Sequence, residues 1–445
     1  MQRPHSQPGQ TSPVITRSDE LHARATGLIP ACTQTLEKGP GRHVRGVAPK
    51  YLQRGKGSHV WDVDGNEFID FEMAIGPVSL GYAYPAVDSA IRTQLADGIT
   101  FSMMHPLEVE VAELIREVVP NAGMVRFWKT GSEAASAAVR LARAYTGRSE
   151  VLCCGSHGWH DWSVAATDWN RGVPQAVRNL TLTFNCNDIK SVLASIGRDV
   201  ACVVLEPVTF EEPADDFLPR LREVCTERGV LLVYDEFWTG FRIALGGAQQ
   251  HYGVNADLAC FSSAVANGMP VSVLAGRYEI MRLLEREVYT FTTSGGEALS
   301  LAAAKATIHE LREKQVPEAL ARQGRKLKDG YNDIARQLGM AYTSCVGMDC
   351  RTMVTFDASA GDPLEMKSLV QQELIRRGVL WGGFHTVCYS HSDEDISHAL
   401  TAYREVLPIL KRAVEDRNIR SYLRGEPIEP AFRRSGEPGL EQKTA

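Results

Sequence analysis

A chain of 445 residues, 44% hydrophobic and 23% charged, has the composition of a soluble globular protein with room for two or three domains. Its net charge of −6 gives no electrostatic reason to expect nucleic acid or an anionic membrane as partner, and no apolar run approaches the roughly 20 residues of a bilayer span. The ten cysteines are scattered without a zinc-type CxxC pair, which reads as reduced, mostly buried thiols and a cytoplasmic location.

The start, Met1 to Pro13, is polar and proline-containing, lacks the apolar stretch of a signal peptide, and predicts a flexible arm over residues 1–25. His59 to Asp70 reads as a hairpin, two alternating runs around Asp64-Gly65-Asn66. Residues 85–97 and 106–119 have helical apolar spacing, with Pro106 suited to a first turn. From about residue 124 strands and helices alternate. Strands are predicted at 124–128, 150–153, 201–205, 230–234, 258–262 and 271–275, and an alanine-rich helix at 134–145. A continuous apolar run such as Val230 to Tyr234 suits a strand buried on both faces of a mainly parallel sheet. Helices are predicted at 297–314, 317–337 and 393–415, and a poorly ordered tail from about Gly425.

Four clusters carry candidate chemistry. Thr130-Gly131-Ser132-Glu133, between a strand and a helix, offers amides, a hydroxyl and a helix dipole to a phosphate; it is equally an ordinary N-cap. Asp235 closes an apolar strand, so its carboxylate is placed at the crevice where parallel sheets bind ligands; a cap or ion-pair role is the plainer reading. Glu206 ends another strand in the same way. In Ser156-His157-Gly158-Trp159-His160-Asp161, the glycines argue for a loop. No third metal ligand can be assigned and no metal site is predicted, and His157 reads better as a general base. Thr292 to Glu297 is a hydroxyl-rich turn before a helix, able to bind a phosphate or to cap.

The order of these clusters is more specific than any one of them. From about residue 45 to 425 the chain resembles class III pyridoxal-phosphate (PLP) aminotransferases, most closely the glutamate-1-semialdehyde aminomutase-like branch. The matching stretches are Trp61 to Asn66, Leu80-Gly81-Tyr82, Thr130 to Glu133, Val139 to Ala144, His157 to Asp161, Asp235-Glu236, Thr239 to Arg242, Ala266 to Pro270 and Gly295 to Glu297. The resemblance implies the α/β type I PLP fold, with a large mainly parallel α/β domain and a small α+β domain built from both chain ends. It divides the chain at 26–75 and 316–425 (small domain) and 76–315 (large domain), with a flexible tail at 426–445. It also implies a homodimer with interface active sites. Gly131 and Ser132 would cradle the cofactor phosphate, Asp235 would meet the pyridine nitrogen, and Thr293 would reach the phosphate of the partner's site.

The departures fall where that cofactor would sit. Ser263 stands in the place of the Schiff-base lysine, and Ser156 in that of the aromatic residue stacking on the ring. Phe237 replaces the aliphatic residue behind the ring, and Ser294 the phenylalanine of the Thr-Phe-Gly-Gly-Glu turn. The chain has no lysine between Lys190 and Lys305, and a serine can neither form an imine nor act as a comparable base. Several positions changing together favour natural divergence over one engineered substitution. The expectation is a divergent biosynthetic enzyme of the aminotransferase fold. It would act on a small polar metabolite by acid–base chemistry, through Ser263, His157, Glu206 and Asp235 and without a PLP-lysine internal aldimine. PLP or pyridoxamine phosphate (PMP) would be held noncovalently by Gly131, Ser132, Ser156, Asp235 and Thr293, or not at all. The alternatives are a conventional aminotransferase or aminomutase with an altered site, and a non-catalytic pseudoenzyme subunit.

Overall fold

The computed structural model describes residues 12–214 and 216–430. They form two compact units, one of residues up to Tyr84 with Ala319 onward, the other of Pro85–Glu318.

The first unit begins with helix α1 (Thr16–Ala25). This corrects the expected arm over its second half; residues 1–11 lie outside the described residues. The helix is anchored from outside its own sequence. The Asp64 carboxylate, in the turn of the predicted hairpin, accepts the amides of Arg17 and Ser18 at 2.8 and 3.0 Å, while Ser18 Oγ accepts the Lys50 amide. Strands β1 (Leu52–Lys56), β2 (His59–Asp62) and β3 (Glu67–Asp70) follow as an antiparallel meander.

The second unit opens with helices α2 (Pro85–Asp97) and α3 (Pro106–Val118), then β4 (Met124–Trp128) and the alanine-rich α4 (Gly131–Thr146). Its remaining strands are β5 (Glu150–Cys154), β6 (Thr181–Thr183), β7 (Val200–Leu205), β8 (Leu231–Glu236), β9 (Leu258–Phe261) and β10 (Ser272–Gly276). They make one seven-stranded sheet in the order β4-β10-β9-β8-β7-β5-β6. The five strands from β9 to β6 pair in parallel, and β10 runs antiparallel to both neighbours. Every residue of β7, β8 and β9 is buried, as their apolar runs require, and the burial extends to Asp235 and Glu236 at the end of β8. Five alanines of α4 are buried, because small side chains let the helix lie close on the sheet, and they share a core with Val204, Val233, Cys260 and Leu274.

Returning to the first unit, β11 (Thr343–Met348), β12 (Arg351–Phe356) and β14 (Phe384–Thr386) form a three-stranded antiparallel sheet, and the two-residue β13 (Val379–Leu380) joins β3 in parallel. Helices Pro363–Ile375 and Asp393–Glu415 cover a core around Trp381, Tyr331 and Tyr403. The start of the expected tail is not loose. Glu426 bridges to Arg45 and Ile428 is buried, since its apolar side chain finds the cluster of Val44, Phe68 and Leu380. Residues 431–445 lie outside the described residues.

Candidate active site

The parallel strands set the site by register. Cys154 of β5 is level with Leu205 of β7, Leu205 with Tyr234 of β8, and Asp235 with Cys260 of β9. Ser156 and His157, Glu206, Asp235 and Ser263 therefore all leave the carboxyl edge of one sheet, where such sheets bind ligands.

Two of these residues meet directly. The imidazole Nδ1 of His157 lies 2.8 Å from Asp235 Oδ2, and the two residues are only 1% and 2% exposed. The other carboxylate oxygen accepts the Phe237 amide at 3.0 Å. Burial is the main influence on the Asp235 carboxyl and pushes its pKa up; the His157 bond and charge oppose this, and the Glu206 charge adds to it. His157 Nε2 is buried with no hydrogen-bond partner among the described residues. A buried polar atom left open in this way points to a ligand, water or reacting proton.

The loop holding His157 is built locally. Gly155 takes a φ of +90°, a turn unfavourable to other residues, and directs the chain off β5. Ser163 Oγ accepts the His157 amide at 2.7 Å, and the Trp162 indole lies parallel to the imidazole, 6.2 Å between centroids. Ser156 donates to the Gly158 carbonyl at 3.2 Å and sits 3.4 Å from Ser163 Oγ. His160 turns to a different partner, with Nδ1 2.7 Å from Ser136 Oγ. Among the described residues no group of three or more His, Cys, Asp or Glu is placed to hold a metal.

At the start of α4, both readings of the turn are present. Thr130 and Glu133 form a reciprocal capping box. The amides of Gly131 and Ser132, in the same first turn, donate to nothing among the described residues, which leaves an anion seat at a helix N-terminus. Against that seat lies the Phe237 ring. A Cβ added to Gly131 would come within 2.6 Å of it, so a larger residue fits there only if that ring moves. Ser132 Oγ accepts the Trp159 amide at 3.3 Å.

Ser263 begins a short 3-10 turn directly after β9 and is half-buried. Lys129, the lysine nearest the phosphate turn in sequence, is committed elsewhere. Its Nζ pairs with Glu297 at 2.5 Å and donates to the Pro270 carbonyl and Ser300 Oγ. Thr293 is exposed, and Glu297 caps the helix Ala298–Glu313, so that turn has its capping role filled.

Sequence reasoning missed two features. Ser163, which positions His157, carries no signal in its neighbourhood. The expectation of ten reduced thiols is also corrected: Cys154 and Cys186 are joined as a disulfide across 32 residues, because parallel β5 and β6 bring the ends of two separate loops together.

Taken with the carboxyl-edge site, this mixed, mainly parallel sheet is the type I fold of PLP-dependent transaminases. A FumI protein of Sphingopyxis sp., solved in its PLP internal aldimine form, superposes with a TM-score of 0.84 at 27% identity, over 90% of this chain and 98% of that one. Residues 43–406 match the family model for class-III aminotransferases, and the chain belongs to that family. It is 32% identical over 411 residues to a 3-aminobutyryl-CoA aminotransferase of Cloacimonas acidaminovorans, covering 89% of this chain and 98% of the relative. It is 34% identical over 416 residues to a glutamate-1-semialdehyde 2,1-aminomutase of Persephonella marina, covering 85% and 96%. Among the described residues no helix is long and apolar enough to cross a membrane.

Proposed function

We propose that this aminotransferase-like chain acts on a small polar metabolite by acid–base chemistry, with no lysine-linked cofactor. One observation carries the reading, the buried His157–Asp235 pair with His157 Nε2 open. Asp235 fixes the imidazole orientation through Nδ1, and Nε2 is the atom that takes a proton from the substrate and returns it. Glu206 and Ser263 leave the same strand edge and supply a second carboxylate and a hydroxyl to orient the substrate.

The fit to the family's cofactor is divided. The open amides of Gly131 and Ser132 suit a phosphate group. The remainder does not suit PLP as that family holds it. Ser263 cannot link it, there is no lysine from residue 191 to 304, and Lys129 is paired with Glu297. The Phe237 ring also lies against the phosphate turn. On this reading PLP or PMP is held noncovalently, and no step of the reaction is routed through it.

We also propose a homodimer, in which Thr293 serves the partner's site. The 72–81% exposure of Met103, Met104, Tyr289 and Phe291 supports this, because apolar side chains so open to water suit burial against another chain.

The test of the chemistry is spectroscopic. The purified protein is mixed with PLP and its visible spectrum recorded before and after borohydride. Unlinked cofactor, or none, is the expected result. One stoichiometric reducible lysine adduct, at Lys129 or elsewhere, would refute the proposal.

A further inference from the structure

We propose that Cys154 and Cys186 form a thiol–disulfide exchange site, with small-molecule disulfides and dithiols as co-reactants, that sets the order of the loop carrying Ser156 and His157. Three observations converge on it. First, the pairing is favoured by the backbone, since the two Cα atoms stand 5.5 Å apart, the usual separation for a disulfide. Second, Cys186 is the reachable member, while Cys154 is buried beneath it. Both residues line a small cavity of about 30 Å³ with Asn187, Glu206, Pro207 and Thr209, and Cys186 is half-buried. Of the eight other cysteines only Cys32 is not buried. The neighbouring Cys153 faces the opposite side of β5, and burial pushes its thiol up to about 12, which leaves it unreactive. Third, the pair stands at the root of the site loop. Cys154 is the last residue of β5, and Gly155, Ser156 and His157 follow at once, with the next side-chain anchor on the His157 backbone at Ser163.

The chemistry balances without further reagents. In forming the bond, the two thiols give up two protons and two electrons to a small-molecule disulfide, which leaves as two thiols. A dithiol reverses the exchange. Oxidised, the start of the loop is tied to the segment after β6; reduced, that segment keeps only its own contacts, such as the Phe184 amide to the Cys153 carbonyl at 3.1 Å. The inference does not depend on what His157 does chemically, and its test reads loop order, not turnover.

The full-length protein is equilibrated in oxidised or reduced glutathione, free thiols are trapped with iodoacetamide, and peptides are sequenced with fragmentation between Cys153 and Cys154. A Cys154–Cys186 link in oxidised buffer, lost in reduced buffer, is expected, with Cys32 alkylated in the reduced sample as a reactivity control. Full alkylation of both residues in oxidised glutathione, or a link to any other cysteine, would overturn the site. Hydrogen exchange over residues 155–163 is then compared in the two states, and should be about tenfold slower when oxidised. Cys186→Ser, with Cys186→Ala as a second variant, should abolish that difference. Equal exchange in both states overturns the coupling to the loop.

Discussion

The most discriminating perturbation is Asp235→Asn. Asp235 accepts two hydrogen bonds at once, from His157 Nδ1 at 2.8 Å and from the Phe237 amide at 3.0 Å. Asparagine has one acceptor oxygen and one NH₂ group. The Phe237 amide is always a donor, so the asparagine oxygen must face it, and the NH₂ must then face His157 Nδ1. That ring nitrogen becomes an acceptor, and the proton moves to Nε2. Both residues are buried, so the tautomer is set by these two contacts and not by solvent. Exchanging a charge-assisted hydrogen bond for a neutral one should lower stability by about 0.5–1.5 kcal/mol, whereas Asp235→Ala, which leaves the imidazole without a partner, should cost about 3–5 kcal/mol. Denaturant unfolding measures both. The tautomer is read by long-range ¹H–¹⁵N spectra of histidine-labelled protein, with His157→Gln assigning the signal. A proton still on Nδ1 in the Asp235→Asn protein would refute the claim that this carboxylate sets the imidazole. Any reaction that uses Nε2 as base should be lost with it.

Other expectations follow from the same contacts. Burial raises the Asp70 carboxyl from its ordinary 3.8 to about 6, so the folded state prefers it neutral. Its stabilising contribution is complete below pH 3.8 and is lost as pH rises through 6, a change of about 3 kcal/mol that Asp70→Asn should flatten in pH-dependent unfolding. Gly131→Ala should lose about 1–3 kcal/mol by forcing a methyl group into the Phe237 ring, and Phe237→Val should restore most of it; an unrescued double variant would show that Phe237 is not the obstacle. Cys186→Ser should cost about 3–4 kcal/mol under oxidising conditions, from the 32-residue separation of the pair, and close to nothing in dithiothreitol, as read by urea midpoints.

Most of the fold was legible in the sequence because its signals are local. The apolar runs of β7 and β8, the alanines of α4 and the Asp64-Gly65-Asn66 turn each encode their own conformation, and the structure places them within a few residues of expectation. Features that depend on distant partners were not legible. Helix α1 starts on the carboxylate of Asp64, 46 and 47 residues away, and Ile428 is ordered by a cluster that begins at Val44. Cys186 pairs across the sheet for the same reason. In each case a long-range contact overrides local composition that reads as loop.

The site divides along the same line. Strand-end acids follow from apolar runs, so Asp235 and Glu206 were visible as candidates, and the glycine pattern around His157 announced a loop. Their mutual arrangement was not visible. The sequence pointed Asp235 toward a cofactor ring nitrogen and gave no sign that its carboxylate also meets His157 and the Phe237 amide. Phe237 links the two halves of the reading. Its backbone amide satisfies Asp235 while its ring covers Gly131, so one residue stands beside both the acid and the phosphate turn. A chain losing function by drift would be expected to leave such a carboxylate unsatisfied, since a buried unpaired charge costs several kcal/mol. Here each carboxylate oxygen accepts a hydrogen bond, and the imidazole Nε2, which has no partner among the described residues, is a position from which a base can act.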